Sequence, residues 1–207
     1  AGTIGDIGTY SFYPTKNLSA AGDAGMLTTN DDELARRLRR IRVHGSDRRY
    51  YHDELGVNSR MDEVQAAILR IKLKHIASWN NRRAELALIY DRELDAKLVE
   101  HCSISVPKRV PGSSHIYHQY TIRLDNPQLS NDELNISRLK LKQKLQENNI
   151  SSEIYYPLPL HLQKLYDNLN HKPEDFPNAL KASQSILCLP IYPELSEEDL
   201  NYIISKF

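Results

Sequence analysis

The sequence predicts an α/β protein built in two parts, and three observations carry that expectation. Apolar residues recur at helical spacing, as Met61, Val64, Ile68 and Ile71 do. Elsewhere they alternate: Ile116, Tyr120, Ile122 and Leu124 run against Tyr117, Gln119, Thr121 and Arg123, the pattern of a half-buried strand. The texture also changes between residues 98 and 106, at the end of a run from 57 that holds no Pro or Gly. The boundary is placed there, with residues 1–98 on one side and 99–207 on the other.

In the first part, residues 1–29 mix Gly, Thr, Ser and aromatic residues. Two short strands are expected, joined by a loop with a break at Pro14 and with Gly22 and Gly25 bracketing Asp23. A helix follows, with Asn30 as its cap, Glu33 at capping-box spacing, and Leu34, Leu38 and Ile41 along one face. Acidic residues open this helix, and Arg36, Arg37, Arg39, Arg40 and Arg42 close it, which suits the helix dipole. The arginine cluster could bind phosphate; a solvated face with helix-end charges is the simpler reading. Residues 43–58 are polar and loop-like. Ser59 is expected to cap the next helix, whose pattern continues through Ile76, Trp79, Leu86 and Ile89 to Leu98. Helices typically run about 8–20 residues, so a bend is expected at Ser78-Trp79-Asn80-Asn81.

In the second part, strands are expected over Ile116–Leu124, at Glu153–Tyr156 and at Leu187–Leu189. A helix from Ser137 to Asn148 should turn Leu139 and Leu145 inward. Pro157–Leu162 reads as a rigid loop and 178–186 as a short helix. Ser196 should cap a last helix whose face is Leu200, Ile203, Ile204 and Phe207. Strand and helix thus alternate, as in a small α/β layer.

Composition narrows the function classes. The chain has 207 residues, with 27 basic against 27 acidic, and 40% are hydrophobic. A chain of this size should bury roughly 70% of its unfolded surface. Balanced charge argues against nucleic-acid or membrane-surface binding. No apolar run approaches the roughly 18 residues a membrane span needs. No signal-peptide pattern is present, and Cys102 and Cys188 form no disulfide framework or zinc motif. A cytoplasmic protein is expected. The start at Ala1, running directly into Gly2, Gly5 and Gly8, suggests that something once preceded it.

Few residues stand out as chemistry. Lys16 follows Pro14-Thr15 in a segment with few other charges. A lysine held in an apolar setting loses its proton more easily and becomes nucleophilic, as Schiff-base chemistry requires. Ser11 could present a hydroxyl to a phosphate from a strand end. On spacing alone, a lone lysine is a surface charge. The eight histidines show no metal-binding spacing, and His115 and His118 should lie on opposite faces of a strand. His161, in P-L-P-L-H, is fixed by prolines; a functional histidine and a buried turn histidine both fit. Tyr50, Tyr51, Tyr155 and Tyr156 suit sugar stacking and also ordinary half-buried packing. No nucleophile elbow, Gly-rich dinucleotide turn or P-loop occurs.

Taken together, a set of longer segments resembles the DegT/DnrJ/EryC1/StrS family of sugar-nucleotide aminotransferases, which use pyridoxal 5'-phosphate. The segments are S-F-Y-P-T-K-N-L at 11–18, G-D-A-G-M-L-T-T-N-D-D-E-L at 22–34, R-V-H-G at 42–45, G-V-N-S-R-M-D-E-V-Q-A-A-I-L at 56–69 and K-L-K-H at 72–75. They continue with Y-H-Q-Y-T-I-R at 117–123, I-Y-Y-P-L-P-L-H-L-Q at 154–163, D-F-P-N-A at 175–179 and L-P-I-Y-P-E-L at 189–195. The resemblance covers essentially the whole chain.

It implies the C-terminal part of a type I, aspartate aminotransferase-like fold. Residues 1–98 would be the tail of the large cofactor-binding domain with a long connecting helix, and 99–207 a complete small α/β domain. Lys16 matches the lysine that bonds to the cofactor and shuttles the proton, and Ser11 matches the serine that binds its phosphate. Asn58 matches the asparagine that reaches the phosphate of a neighbouring subunit's cofactor, which implies a homodimer with shared sites. His161 and its loop match a segment lining the sugar-nucleotide site; glutamate is the usual amino donor.

Some features depart from the family. Its usual preceding half, with the aspartate opposite the pyridine nitrogen, the ring-stacking aromatic and the first phosphate-binding turn, has no match here. Ser19, Ala21 and Ala24 stand where Gly, an aromatic and Gly are more usual. The isolated chain is therefore expected to be inactive. Two other readings remain: a non-catalytic remnant or interaction module, and a dehydratase relative. Lys16 argues against the second, because that branch carries histidine there.

Overall fold

The computed structural model describes residues 2–207; Ala1, where the expected first segment begins, lies outside them. The chain divides into two compact units, one ending at Ser78 and one beginning at Trp79.

In the first unit, β1 (Gly8–Ser11) pairs antiparallel with β2 (Gly25–Thr28), Ser11 opposite Gly25. Both expected strands form. Helix α1 (Asp32–Ile41) is capped by Asp31, not Asn30: the Asp31 carboxylate accepts from the backbone N–H of Glu33 at 2.8 Å and Leu34 at 3.0 Å. Asp31 carries the extended backbone an N-cap needs, which leaves Asn30 one residue outside the first turn.

The 43–58 loop folds back on α1 through Val57 N–H to Ile41 O at 2.8 Å and Asp53 N–H to Gly45 O at 2.9 Å. Gly45 makes that return possible: its φ is +70°, and a Cβ there would lie 1.7 Å from the Glu54 carbonyl oxygen. Helix α2 (Glu63–Lys72) begins later than a Ser59 cap would place it. The Ser59 N–H is bonded to Arg42 O at 3.0 Å, in the short bridge that joins Val43 to Asn58.

The break in the long helical stretch falls at residues 73–75, where His75 N–H turns to Lys72 O at 2.9 Å. Ser78–Asn81, the expected bend, lie inside the continuous α3 (Ile76–Leu94). The division between the compact units falls within α3. Leu86, Tyr90 and Leu94 of that helix are fully buried in the second unit's core.

That core lies against a four-stranded antiparallel sheet in the order β3 (Leu98–Val99), β4 (Cys102–Ser105), β5 (Tyr120–Asp125), β6 (Ile186–Leu189). Tyr120, Ile122 and Leu124 of β5 point inward, as their alternation requires, but the strand begins at Tyr120 and not at Ile116: Ile116 is exposed and Tyr117 buried, the reverse of the expected pattern. The β3–β4 hairpin was not expected; its turn uses Glu100 and His101 at positive φ, without the Gly or Asn that usually marks such a turn.

Helix α4 (Asn131–Glu147) starts at a complete capping box between Ser130 and Glu133 and not at Ser137. From that start, Leu134, Leu141 and Leu145 face the core and Leu139 does not, being 47% exposed. The Glu153–Tyr156 segment is a single bridge from Glu153 to Cys188, not a strand. Helices α5 (Pro177–Ser185) and α6 (Glu197–Ile204) form as expected, the latter capped by Ser196.

Two arginines are buried in this unit. Arg83 Nη1 donates to the carbonyls of Tyr117 at 3.1 Å and Ile191 at 2.8 Å, and Arg138 Nη1 to Ser183 O at 2.5 Å. Cys102 and Cys188 are both free and buried. Among the described residues, no helix is long and apolar enough to cross a membrane.

Candidate functional site

The β1–β2 connection is the most deliberately built segment of the first unit. Phe12 N–H bonds to Ala24 O and Ala20 N–H to Phe12 O, each at 2.8 Å, so the loop is closed at its base. Phe12, Ala20 and Leu69 bury a small core beneath it. Lys16 sits at the top, half-buried, its own N–H turned back to Tyr13 O at 2.8 Å.

Two side chains of α2 pin the far limb. Lys72 Nζ donates to both the carbonyl and the hydroxyl of Ser19 at 2.9 Å, and Gln65 Oε1 accepts from Ala21 N–H at 2.8 Å. Sequence reasoning missed this pair. The available signal was their spacing of two helical turns, which places both on one face of α2.

Ser11 ends β1, its hydroxyl accepting from Tyr13 N–H at 3.4 Å. Ser11 and Asn58 line one open cavity of about 1150 Å³ in the first unit, together with Arg39, Arg42 and Arg60. Lys16 is not among its lining residues, so the structure joins two of the expected site residues there and leaves the third on the adjoining loop. Asn58 Oδ1 accepts from Arg60 Nε at 3.2 Å.

The arginines of α1 separate into two groups. Arg36 pairs with Glu33 at 2.7 Å, Arg40 with Glu54 at 2.5 Å, and Arg37 with Glu54 at 3.1 Å. The hydrogen bond from Arg40 is the main cause that holds the Glu54 carboxyl below its ordinary range. Arg39 and the capping Arg42 face the cavity instead.

His161 belongs to the second unit, in a 3₁₀ turn at Leu160–Leu162. Its ring packs 4.8 Å from that of Phe176, and Nε2 is buried without a protein hydrogen-bond partner. A buried orphaned nitrogen calls for a partner from outside the protein. Nearby, His171 lies 5.2 Å from the Phe176 ring and 3.3 Å from Asp175 Oδ2. The Lys172 backbone N–H, with His171 second, holds the Asp175 carboxyl below its ordinary range.

The other singled-out residues are placed plainly. His115 and His118 precede β5 and do not share a strand; His115 Nδ1 accepts from Tyr117 N–H at 3.0 Å. Tyr51 and Tyr50 are exposed beneath the guanidinium groups of Arg48 and Arg49, at 4.4 and 4.8 Å. The rings of Tyr155 and Tyr156 meet edge to face at 5.4 Å. Among the described residues, no group of three His, Cys, Asp or Glu could hold a metal ion.

A hydroxyl, a carboxamide and guanidinium groups around one cavity are the donors that hold a phosphate ester. A primary amine on a pinned loop beside them can attack a carbonyl.

The model of the DegT/DnrJ/EryC1/StrS aminotransferase family matches residues 1–207, and the chain belongs to that family. It is 46% identical over 205 residues to a pleiotropic regulatory protein of Geobacillus stearothermophilus, covering 99% of this chain and 52% of that one. It is 41% identical to the UDP-N-acetyl-3-dehydro-alpha-D-glucosamine 3-aminotransferase of Acidithiobacillus ferrooxidans, covering 96% and 49%. Among solved structures it resembles S. venezuelae DesV in complex with a ketimine intermediate, with a TM-score of 0.87 and 35% identity over 100% of this chain and 52% of that one. The chain thus spans about half the length of these relatives and carries about half of their mixed α/β aminotransferase fold.

Proposed function

We propose that this chain supplies the lysine-bearing part of an enzyme that uses pyridoxal 5'-phosphate to move an amino group, from glutamate, onto a keto-sugar nucleotide. The observation that carries the reading is that the closed loop bearing Lys16 also contributes Tyr13, Asp23 and Ala24 to the cavity lined by Ser11. Its donor set fits the cofactor: hydroxyl, carboxamide and guanidinium groups suit the phosphate, and Lys16 Nζ suits the carbonyl. When bound, the cofactor supplies an electron sink for the bond broken at the amine-bearing carbon.

This chain's own residues do the rest. Ser11 holds the phosphate of the chain's own cofactor, Lys16 takes and returns a proton, and His161 Nε2 finds its missing partner on the sugar nucleotide. The first unit is read as part of the large cofactor-binding domain and the second as the small domain. The protein is read as a cytoplasmic homodimer in which Asn58 serves the partner's cofactor.

A second reading rests on the Geobacillus stearothermophilus relative, a pleiotropic regulatory protein: a regulator that keeps the fold. One experiment separates the two. The intact protein carrying this chain is incubated with pyridoxal 5'-phosphate, reduced with borohydride and mapped by peptide mass spectrometry. Label on Lys16, with amino transfer reduced at least about a thousandfold by Lys16→Ala, is the expected result. A label on another lysine, or transfer that survives the substitution, overturns the proposal.

A further inference from the structure

One face of α2 meets the Lys16 loop in register. Gln65, Leu69 and Lys72 recur at helical spacing and engage Ala21, Ala20 and Ser19 respectively. Lys72 Nζ donates to the carbonyl and the hydroxyl of Ser19, Leu69 shares a buried cluster with Ala20, and Gln65 Oε1 accepts from Ala21 N–H. Gly22 admits the Gln65 amide, since a Cβ there would stand 3.1 Å from Nε2. In sequence these loop residues lie between Lys16 and the cavity wall at Asp23 and Ala24, and only Asn17 and Leu18 separate Lys16 from them.

The simple account makes Lys72 a surface lysine whose contact happens to fall on a loop. An exposed lysine ordinarily reaches for water or a carboxylate. Lys72 is half-buried, and both of its contacts go to neutral oxygens of Ser19, itself buried. A charged donor makes such hydrogen bonds stronger than neutral ones. Strength matters here because a misplacement of about 1 Å at a reacting group costs about a hundredfold in rate.

We propose that Lys72 and Gln65 are positioning residues for Lys16: they fix the far limb of its loop so that Nζ meets the cofactor carbonyl. The inference rests on the proposed function. Both side chains act through the loop backbone, and neither is a catalytic residue.

In the intact protein, Lys72→Met and Gln65→Leu remove the contacts, while Lys72→Arg and Gln65→Glu keep a donor and an acceptor in place. Arg70→Met is the control, an exposed basic residue of the same helix. Cofactor affinity is measured by equilibrium dialysis. The rate at which bound pyridoxal 5'-phosphate becomes fixed on Lys16 is measured by timed borohydride quench and peptide mass spectrometry. Lys72→Met and Gln65→Leu should each slow that rate about tenfold. They should lower kcat in proportion and leave KM for the amino donor unchanged. The conservative variants and Arg70→Met should stay near the wild-type rate. Ser19→Ala removes one acceptor of Lys72 and should slow the rate less; added to Lys72→Met it should change nothing further.

A wild-type rate in folded Lys72→Met and Gln65→Leu, verified by circular dichroism, overturns the proposal. So does equal slowing in Arg70→Met, or a loss that the conservative variants share. If Lys72→Met does not fold, Ser19→Ala decides: slowing supports the pin and a wild-type rate overturns it. Label on Lys16 in the wild type with unaltered variants defeats the positioning role alone. No label on Lys16 in the wild type defeats the proposed function and this inference with it.

Discussion

The two units of this chain keep their shape by different means. The second unit closes a core drawn from α3, all four strands of its sheet, α4 and α6, with Leu86, Tyr90, Ile122, Leu141 and Leu187 fully buried. The first unit buries only Phe12, Ala20 and Leu69 together, and leaves Met26, Leu27, Val64 and Ile71 between 46% and 63% exposed. Its two-stranded ribbon is of a kind that is marginal by itself. What fixes its loop is hydrogen bonding: closure at Phe12, Ala20 and Ala24, and the grip of Gln65 and Lys72. The difference teaches a division of labour. Core burial secures the second unit, and directed polar contacts fix the backbone of the loop that carries Lys16 in the first.

The largest test of that contrast is truncation of one core residue in each unit. Leu141→Ala should cost about 2–5 kcal/mol, because the side chain is fully enclosed and its neighbours cannot collapse into the gap. Leu69→Ala should cost less than about 2 kcal/mol, since its cluster is small and partly open to water. Native-state hydrogen exchange on the intact protein reads both, through the amides of β5 and of the 12–24 loop. Equal losses would break the comparison.

The same contrast explains what was legible in the sequence. Elements that bury one face announced themselves: β5 by alternation, β6 by its apolar run, α6 by Ser196 and its stripe. The β3–β4 hairpin did not, because Glu100 and His101 adopt positive φ without being turn-formers. The start of α4 is marked in the sequence by Ser130 and Glu133, but its mostly polar first turn hides it from a reading of apolar spacing. Glu153–Tyr156 looked like a strand on composition but pairs only once, at Cys188. In the site, Lys16, Ser11 and His161 stand out by residue type and setting and take their roles from the motif resemblance, which alone points to Asn58, whereas Gln65 and Lys72 carry neither signal. Their role depends on a loop 44 or more residues away in sequence.

A smaller effect sharpens the comparison at helix starts. Ser130→Ala removes a capping box and Asp31→Ala removes a carboxylate that accepts two N–H groups. Each should cost about 1 kcal/mol. The consequences should spread differently. Because α4 packs its Leu134, Leu141 and Leu145 into the large core, Ser130→Ala should lower protection in α4 and β5 together. Helix α1 has no buried residue, so Asp31→Ala should loosen α1 alone. Exchange that spreads from α1 through the 12–24 loop would show the first unit to be more cooperative than its small core allows.

The smallest expected effect is on the acid side of the second unit's stability. Asp125 ends β5, and its carboxylate accepts from Arg123 Nε at 2.7 Å and Ser105 Oγ at 2.8 Å, with Lys181 Nζ at 3.1 Å. It therefore ties β4, β5 and α5 together. Burial pushes its pKa up, but the hydrogen bonds from Arg123, Ser105 and Lys181 outweigh burial and hold the carboxyl below its ordinary range. The folded pKa thus lies below the unfolded one, so protons bind the unfolded chain more readily. The contribution is complete above the unfolded carboxylate range, near pH 4, and is lost as pH falls through the lower folded value. Thermal unfolding of the intact protein between pH 7 and pH 2.5 should show a decline in Tm on that acid limb. Asp125→Asn keeps the shape but removes the titration; it should lower Tm at pH 7 and flatten the decline below pH 4. An acid limb of the same steepness in Asp125→Asn would mean that other carboxylates set it, and that the three-element tie at Asp125 adds nothing to what the core already secures.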